Sequence, residues 1–166
     1  MKKINVLIIL SVILFIVGCS NNDKDYFESA QKLMDAKQYS EALVKFQKIV
    51  DEFPKSEHYK IALLKVGELN QGHVDKSLTD KESLLKAVKA YTKFHKNFHS
   101  DPKAPQTLFM IGFIQANELK NIEAAKAAYS KFLTLYPDSE MAESAKAEIE
   151  NLGLTPDEIL QKKSAN

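Results

Sequence analysis

Four columns of residues recur three times along this chain, and they restrict it to one kind of architecture. Ala42, Phe46, Ile49 and Phe53-Pro54 return as Ala87, Tyr91, Phe94 and Phe98-His99, and again as Ala125, Tyr129, Phe132 and Tyr136-Pro137. The offsets are 45 and then 38 residues, each held across all four columns. An alanine, an aromatic four positions on and an apolar residue three further share one face of a helix. The alanine lets two backbones approach, and the ring fills the space to the next helix. Pro54 and Pro137 close their helices, because the residue before a proline is pushed out of the α region. Gly67 and Gly112, also 45 residues apart, stand mid-helix, where glycine costs about 1 kcal/mol against alanine. Close helix–helix contact is the usual compensation. Units of this kind are stabilised by stacking on one another.

The expected layout follows from these columns. Unit one pairs helices near 24–37 and 39–53, unit two pairs 57–71 with 80–98, and unit three pairs 104–119 with 121–136. A further helix near 139–151 covers the open end. Gly153 is a helix stop, and Thr155-Pro156-Asp157-Glu158 reads as an N-cap, a first-turn proline and a capping-box glutamate. A short helix over 156–162 and a tail complete the chain. The fold class is therefore all-α: a short solenoid of about three helix–turn–helix repeats plus a C-terminal capping helix. Gln71 to Ser83 is longer than the turn expected inside unit two, and its polar composition predicts a surface loop. Such a loop either binds something or is a passively tolerated insertion.

A small residue, alanine, aromatic, apolar residue and proline at these spacings resemble the tetratricopeptide repeat, built of helix–turn–helix units of about 34 residues. The resemblance covers roughly 24–153. The tryptophan of the ideal repeat is missing, Ala30 stands where unit one would have glycine, and His99 replaces the closing proline of unit two. The resemblance implies that the first helix of each unit lines a concave face that binds protein partners. With Ala30, Gly67 and Gly112 in the small-residue column, that lining is Lys24, Phe27, Gln31, Met34 and Asp35, then Leu64, Glu68 and Gln71, then Gln106, Phe109, Phe113 and Asn117. The candidate groove residues are Phe27, Gln31, Met34, Leu64, Glu68, Phe109, Phe113 and Asn117. Residues 108–114 are apolar all round, the pattern of a helix covered on every side. Phe109 and Phe113 either face the groove or form plain core under the C-terminal helix.

The amino-terminal stretch has a different character. Lys2 and Lys3 precede an apolar run from Ile4 to Val17, broken only by Asn5 and Ser11. That is nearer a signal h-region than the roughly 20 apolar residues of a spanning helix. Ile16-Val17-Gly18-Cys19 resembles the lipobox of bacterial lipoproteins. The resemblance implies cleavage before Cys19, a diacylglyceryl group on its sulfur, and acylation (palmitate is typical) of the new terminus. Multiple chains anchor firmly where a single one binds only marginally. Without lipidation, the stretch would be an ordinary secretory leader with a chance cysteine, or a signal anchor. The chain then divides into a signal peptide (1–18), a lipidated cysteine and tether (19–23), the repeat domain (24–153) and a C-terminal helix and tail (154–166).

Composition narrows the chemistry. With 23 basic and 22 acidic side chains the net charge is +1, which points to no nucleic acid partner. Every basic side chain is lysine, so no guanidinium fork is present for phosphate or carboxylate. Cys19 is the only cysteine, which rules out an internal disulfide and, if lipidated, thiol catalysis. His95 and His99 lie four apart on one helix, a spacing that suits two metal ligands but equally two solvated histidines at a helix end. His58 and His73 are lone. Carboxylate pairs such as Glu118 with Glu123 and Glu140 with Glu143 sit among lysines as solvated helix faces. No cofactor, metal or enzymatic activity is expected.

Lipobox and repeats together resemble envelope lipoproteins: the tetratricopeptide subunit of the outer-membrane β-barrel assembly machine, and the repeat domain of the Tol–Pal-associated coordinator of cell-wall growth. Three repeats are fewer than the assembly subunit has, and the Tol–Pal protein carries a coiled coil and no lipobox. Ser20 stands where aspartate would retain a lipoprotein in the inner membrane, so the resemblance implies the periplasmic face of an outer membrane. The expected function is a lipid-anchored, non-enzymatic adaptor that binds envelope proteins. The alternatives are Tol–Pal and cell-wall coordination, or a structural envelope lipoprotein without a peptide groove.

Overall fold

The computed structural model describes residues 22–164. The expected signal peptide, Cys19 and most of the expected tether therefore lie outside the described residues. All regular structure among the described residues is helical. Helices α1 (Asn22–Asp35) and α2 (Tyr39–Glu52) form unit one, and α3 (Tyr59–Gln71) and α4 (Asp80–Asn97) form unit two. Unit three is α5 (Ala104–Phe113), continued by a π-helical segment (Ile114–Glu118), and α6 (Ile122–Leu135). Helices α7 (Ala142–Asn151) and α8 (Pro156–Ser164) follow. Each helix packs mainly on its neighbours in the chain. The all-α solenoid of three helix pairs is thus the fold, and no described helix is long and apolar enough to cross a membrane.

The repeated columns are its core. Ala42, Ala87 and Ala125 are fully buried, as are Phe94, Tyr129 and Phe132, with Phe46 and Tyr91 nearly so. Glycine lets the first and second helices of units two and three meet at van der Waals distance. A Cβ on Gly112 would stand 2.7 Å from Tyr129 Cε1, and one on Gly67 would overlap the Tyr91 ring. The units are joined by one corner built three times. Ser56, Asp101 and Ser139 stand three residues after Phe53, Phe98 and Tyr136, each donating its backbone N–H to that aromatic's carbonyl. Their side chains then accept the backbone N–H two residues on, of His58, Lys103 and Met141. Lys60 Nζ binds Asp101 Oδ2 at 2.7 Å and ties the second corner to α3.

The left-handed residue that closes each first helix is not a glycine. Lys37, His73 and Lys120 take the left-handed conformation, with φ of 58°, 50° and 55°. At the first two, a Schellman pattern closes the helix, with Gln38 N–H on the Leu33 carbonyl and Val74 N–H on that of Leu69. Unit three closes wider, with Asn121 N–H reaching back six residues to the Gln115 carbonyl at 2.7 Å. The connection inside unit two follows the expected helix bounds, 71 and 80, and is shorter than the stretch from Gln71 to Ser83 expected to form a surface loop. Residues 80–83 belong to α4, because Thr79 and Glu82 form a full capping box. Ser83 is buried and donates to the Asn70 carbonyl, so only 72–79 is loop. The expected capping box at Thr155 and Glu158 starts α8.

One polar joint links units two and three. Tyr136 donates its hydroxyl proton to the His99 carbonyl at 3.1 Å, leaving its oxygen to accept from His95 Nε2 at 3.0 Å. Burial, aided by Lys131 and His99, lowers the His95 pKa and favours the neutral ring.

Gly112→Ala is expected to lose about 1–3 kcal/mol to overpacking against the buried ring, read by urea denaturation. A gain in stability from helix propensity would show that the contact is loose. For pH, the unfolded chain takes a proton at His95 that the folded chain resists, so stability falls as pH drops below about 6.5. A separate decline comes below about 4, as Asp23, Asp75, Glu82, Asp101 and Glu158, held low by hydrogen bonds, are protonated. His95→Gln keeps a donor for Tyr136 and removes the first decline only, measurable as Tm against pH.

Candidate functional site

Between α1 and α3 runs a groove of about 370 Å³ lined by Phe27, Gln31, Met34, Asp35, Phe46, Ile61 and Lys65. Helical periodicity puts Phe27, Gln31 and Met34 on one stripe of α1. Phe27 meets Phe46 edge-on, with centroids 6.2 Å apart, and its other side is covered by His58, stacked at 4.2 Å and 7°. His58 is held in turn at the first corner, where Ser56 also donates its hydroxyl to Asp23 at 2.6 Å. That bond holds the Asp23 carboxyl below the usual carboxylate range. The ring at the bottom of the groove is therefore set by a local network rather than left to rotate. Ile61 is 41% exposed on the opposite wall. Lys65 pairs with Glu68 at 2.7 Å, which places one charge pair on the rim.

The structure gathers part of the expected lining and disperses the rest. Phe27, Gln31 and Met34 come together, and Glu68 joins them through Lys65. Leu64 is half-buried against the core of units one and two, because the open stripe of α3 runs Ile61–Lys65–Glu68. Ile61, Lys65 and His58 are the residues that sequence reasoning missed. Ile61 was legible as a lone exposed isoleucine one turn before Lys65; the stacking of His58 had no signal. Phe109 turns into unit three, edge-on to Tyr129 at 5.2 Å and to Phe132 at 5.9 Å. Phe113 is half-buried, and Asn117 lines a different cleft, against α7 and α8. What the α1–α3 groove can do chemically is bind: an aromatic and aliphatic bed, one acid and one base, open to solvent. Among the described residues no group of three or more His, Cys, Asp or Glu is placed to hold a metal ion. The His95 ring meets the Tyr136 hydroxyl, and His99 offers Tyr136 its backbone carbonyl.

Residues 26–56 and 106–139 match the family model of the tetratricopeptide repeat. No curated protein matches the chain. The matched segments are units one and three, each running from its first helix through its closing corner. Unit two, with its 72–79 loop and the 18-residue α4, is outside them. Repeats of this kind generally form non-enzymatic scaffolds for contacts between proteins. Over units one and three the chain is similar to the tetratricopeptide repeat, and its helical solenoid is of that repeat's type.

Proposed function

We propose that the protein is a lipid-anchored, non-enzymatic adaptor that captures a protein partner at the cell envelope through the α1–α3 groove. The observation that carries the reading is the pre-set bed of Phe27, Phe46 and Met34 facing the exposed Ile61. Such a bed suits the apolar face of an amphipathic helix, or an extended apolar segment, better than a charged tail. The Ile16-Val17-Gly18-Cys19 motif supplies the anchor, and Ser20 favours the periplasmic leaflet of an outer membrane. The short tether, at no more than roughly 3.5 Å per residue, keeps the groove near that membrane. Partners in or on the same membrane follow, the β-barrel assembly machinery first among them.

Cross-linking of living cells that carry the tagged protein, followed by mass spectrometry, tests the partner. Recovery of β-barrel assembly components supports the reading, and recovery of Tol–Pal or cell-wall enzymes moves it to envelope coordination. Self-cross-links alone would overturn it. Ile61→Lys should cut capture at least tenfold while leaving the helical circular dichroism unchanged, since the side chain is exposed. Cys19→Ala should abolish labelling by palmitate and release the protein from membranes.

A further inference from the structure

Helix α3 is lined on two sides. Ile61 and Lys65 face the groove just described, while Leu63, Val66 and Asn70 lie about 140–200° around the helix from Ile61, at 100° per residue. These three form the bed of a trough walled by α2 and α4. It consists of two clefts of about 480 and about 300 Å³ that share Gln47, Asp51 and Lys86. The loop 72–79 closes one end. Ser40 donates its hydroxyl to the Val74 carbonyl, and Asp75 accepts both the backbone N–H and the hydroxyl of Ser77, at 3.0 and 2.6 Å. The insertion is thus a built wall.

The two long walls differ in charge. On α2 the charges are already engaged: Gln47 donates to Asp51 at 2.9 Å, and Lys48 pairs with Glu52 at 2.7 Å. On α4, Lys86, Lys89 and Lys93 line the trough at i, i+3 and i+7, spanning about 10 Å of helix. Lys86 feels Asp75 and Glu82 at a distance, but among the described residues none of the three lysines is in an ion pair. Like charges at this spacing repel within a helix. On the α2 wall Val44 is 58% exposed. In the bed, Asn70 is 1% exposed; its Nδ2 donates to the Val66 carbonyl at 2.8 Å, and its Oδ1 has no partner. A buried acceptor without a donor is costly enough to need an explanation.

We infer that the trough is a second docking site, for an acidic amphipathic helix of a partner protein. Its apolar ridge lies on Val44, above the buried Leu63 and Val66, and its carboxylates, repeated at i, i+3 and i+7, meet Lys86, Lys89 and Lys93. A hydroxyl or amide on the ridge supplies the donor that Asn70 Oδ1 lacks. A nucleic acid fits poorly, because its phosphates would also run along Asp51 and Glu52 on the facing wall, whereas an amphipathic helix carries its carboxylates on the lysine side alone. The site is on the opposite side of α3 from the first groove, so the adaptor holds two partners at once without either displacing the other.

The test uses full-length protein in detergent and a labelled synthetic 15-residue amphipathic helix with a leucine ridge and glutamates at the stated spacing. Its counterpart carries lysine for glutamate. Fluorescence anisotropy should show the acidic peptide binding, more weakly as salt rises, and the lysine peptide not binding. The triple variant Lys86→Glu, Lys89→Glu, Lys93→Glu should weaken binding at least tenfold, and Val44→Asp severalfold, with circular dichroism unchanged. Ile61→Lys should leave this binding intact, which separates a failure here from a failure of the first groove. The inference is overturned if the acidic peptide does not bind at millimolar concentration, or if both peptides bind alike. It also falls if Ile61→Lys removes binding equally, or if sedimentation shows a dimer that the lysine substitutions break, since the trough would then be a self-interface.

Discussion

The contact of a tyrosine ring with the bare Cα of a glycine sets the spacing on which this solenoid depends. Gly67 meets Tyr91 and Gly112 meets Tyr129, and in each pair the ring belongs to the second helix of the same unit. No side chain separates the two backbones there, so the helices lie close and the neighbouring alanines, Ala87 and Ala125, are sealed from water. Unit one solves the same problem with Ala30 and Phe46, both buried, and adds the ring of Phe27. Phe109 makes the equivalent edge-on contact with Tyr129 in unit three.

Much of this was legible in the sequence, for a physical reason. Helix ends marked by proline and by capping boxes announce themselves, and the boundaries of α2, α4, α6 and α8 lie within two residues of expectation. The first helices also end within two residues of expectation, but the way they close gave no notice. Lys37, His73 and Lys120 occupy a conformation that favours glycine, and lysine carries no mark of it. The π-helical close of unit three was invisible for the same reason. In the groove, Phe27, Gln31 and Met34 followed from the resemblance to the repeat, with Ala30 in its small-residue column. The α3 wall was misjudged by part of a turn, because the repeat's small-residue column pointed to Leu64 while packing exposes Ile61. Phe109 belongs to a helix apolar on all sides, and periodicity cannot tell which apolar face a neighbour will claim. Only the position of Tyr129 and Phe132 decides it.

Helix α3 is the pivot of the molecule. It is the first helix of the unit that carries the insertion, and it is packed by α2 on one flank and α4 on the other. Both clefts described above take part of their lining from it. The loop that lengthens unit two closes the trough and leaves the groove untouched. An insertion at this place therefore adds surface without disturbing the α1–α3 groove.

The corners built by Ser56, Asp101 and Ser139 have a further consequence. Each is a compact, hydrogen-bonded turn of the same design, and the buried residues fall into three clusters strung along the axis rather than one centre. Such an assembly fails by fraying rather than by collapse. Helix α8 exposes Leu160, and α7 buries only Ala142 and Ala145 fully, so the far end is the loosest strand of the rope. Units one and two, which hold both clefts, sit at the other end, nearest the proposed lipid. The stack thus puts its sacrificial turns farthest from the surfaces it has to keep in shape.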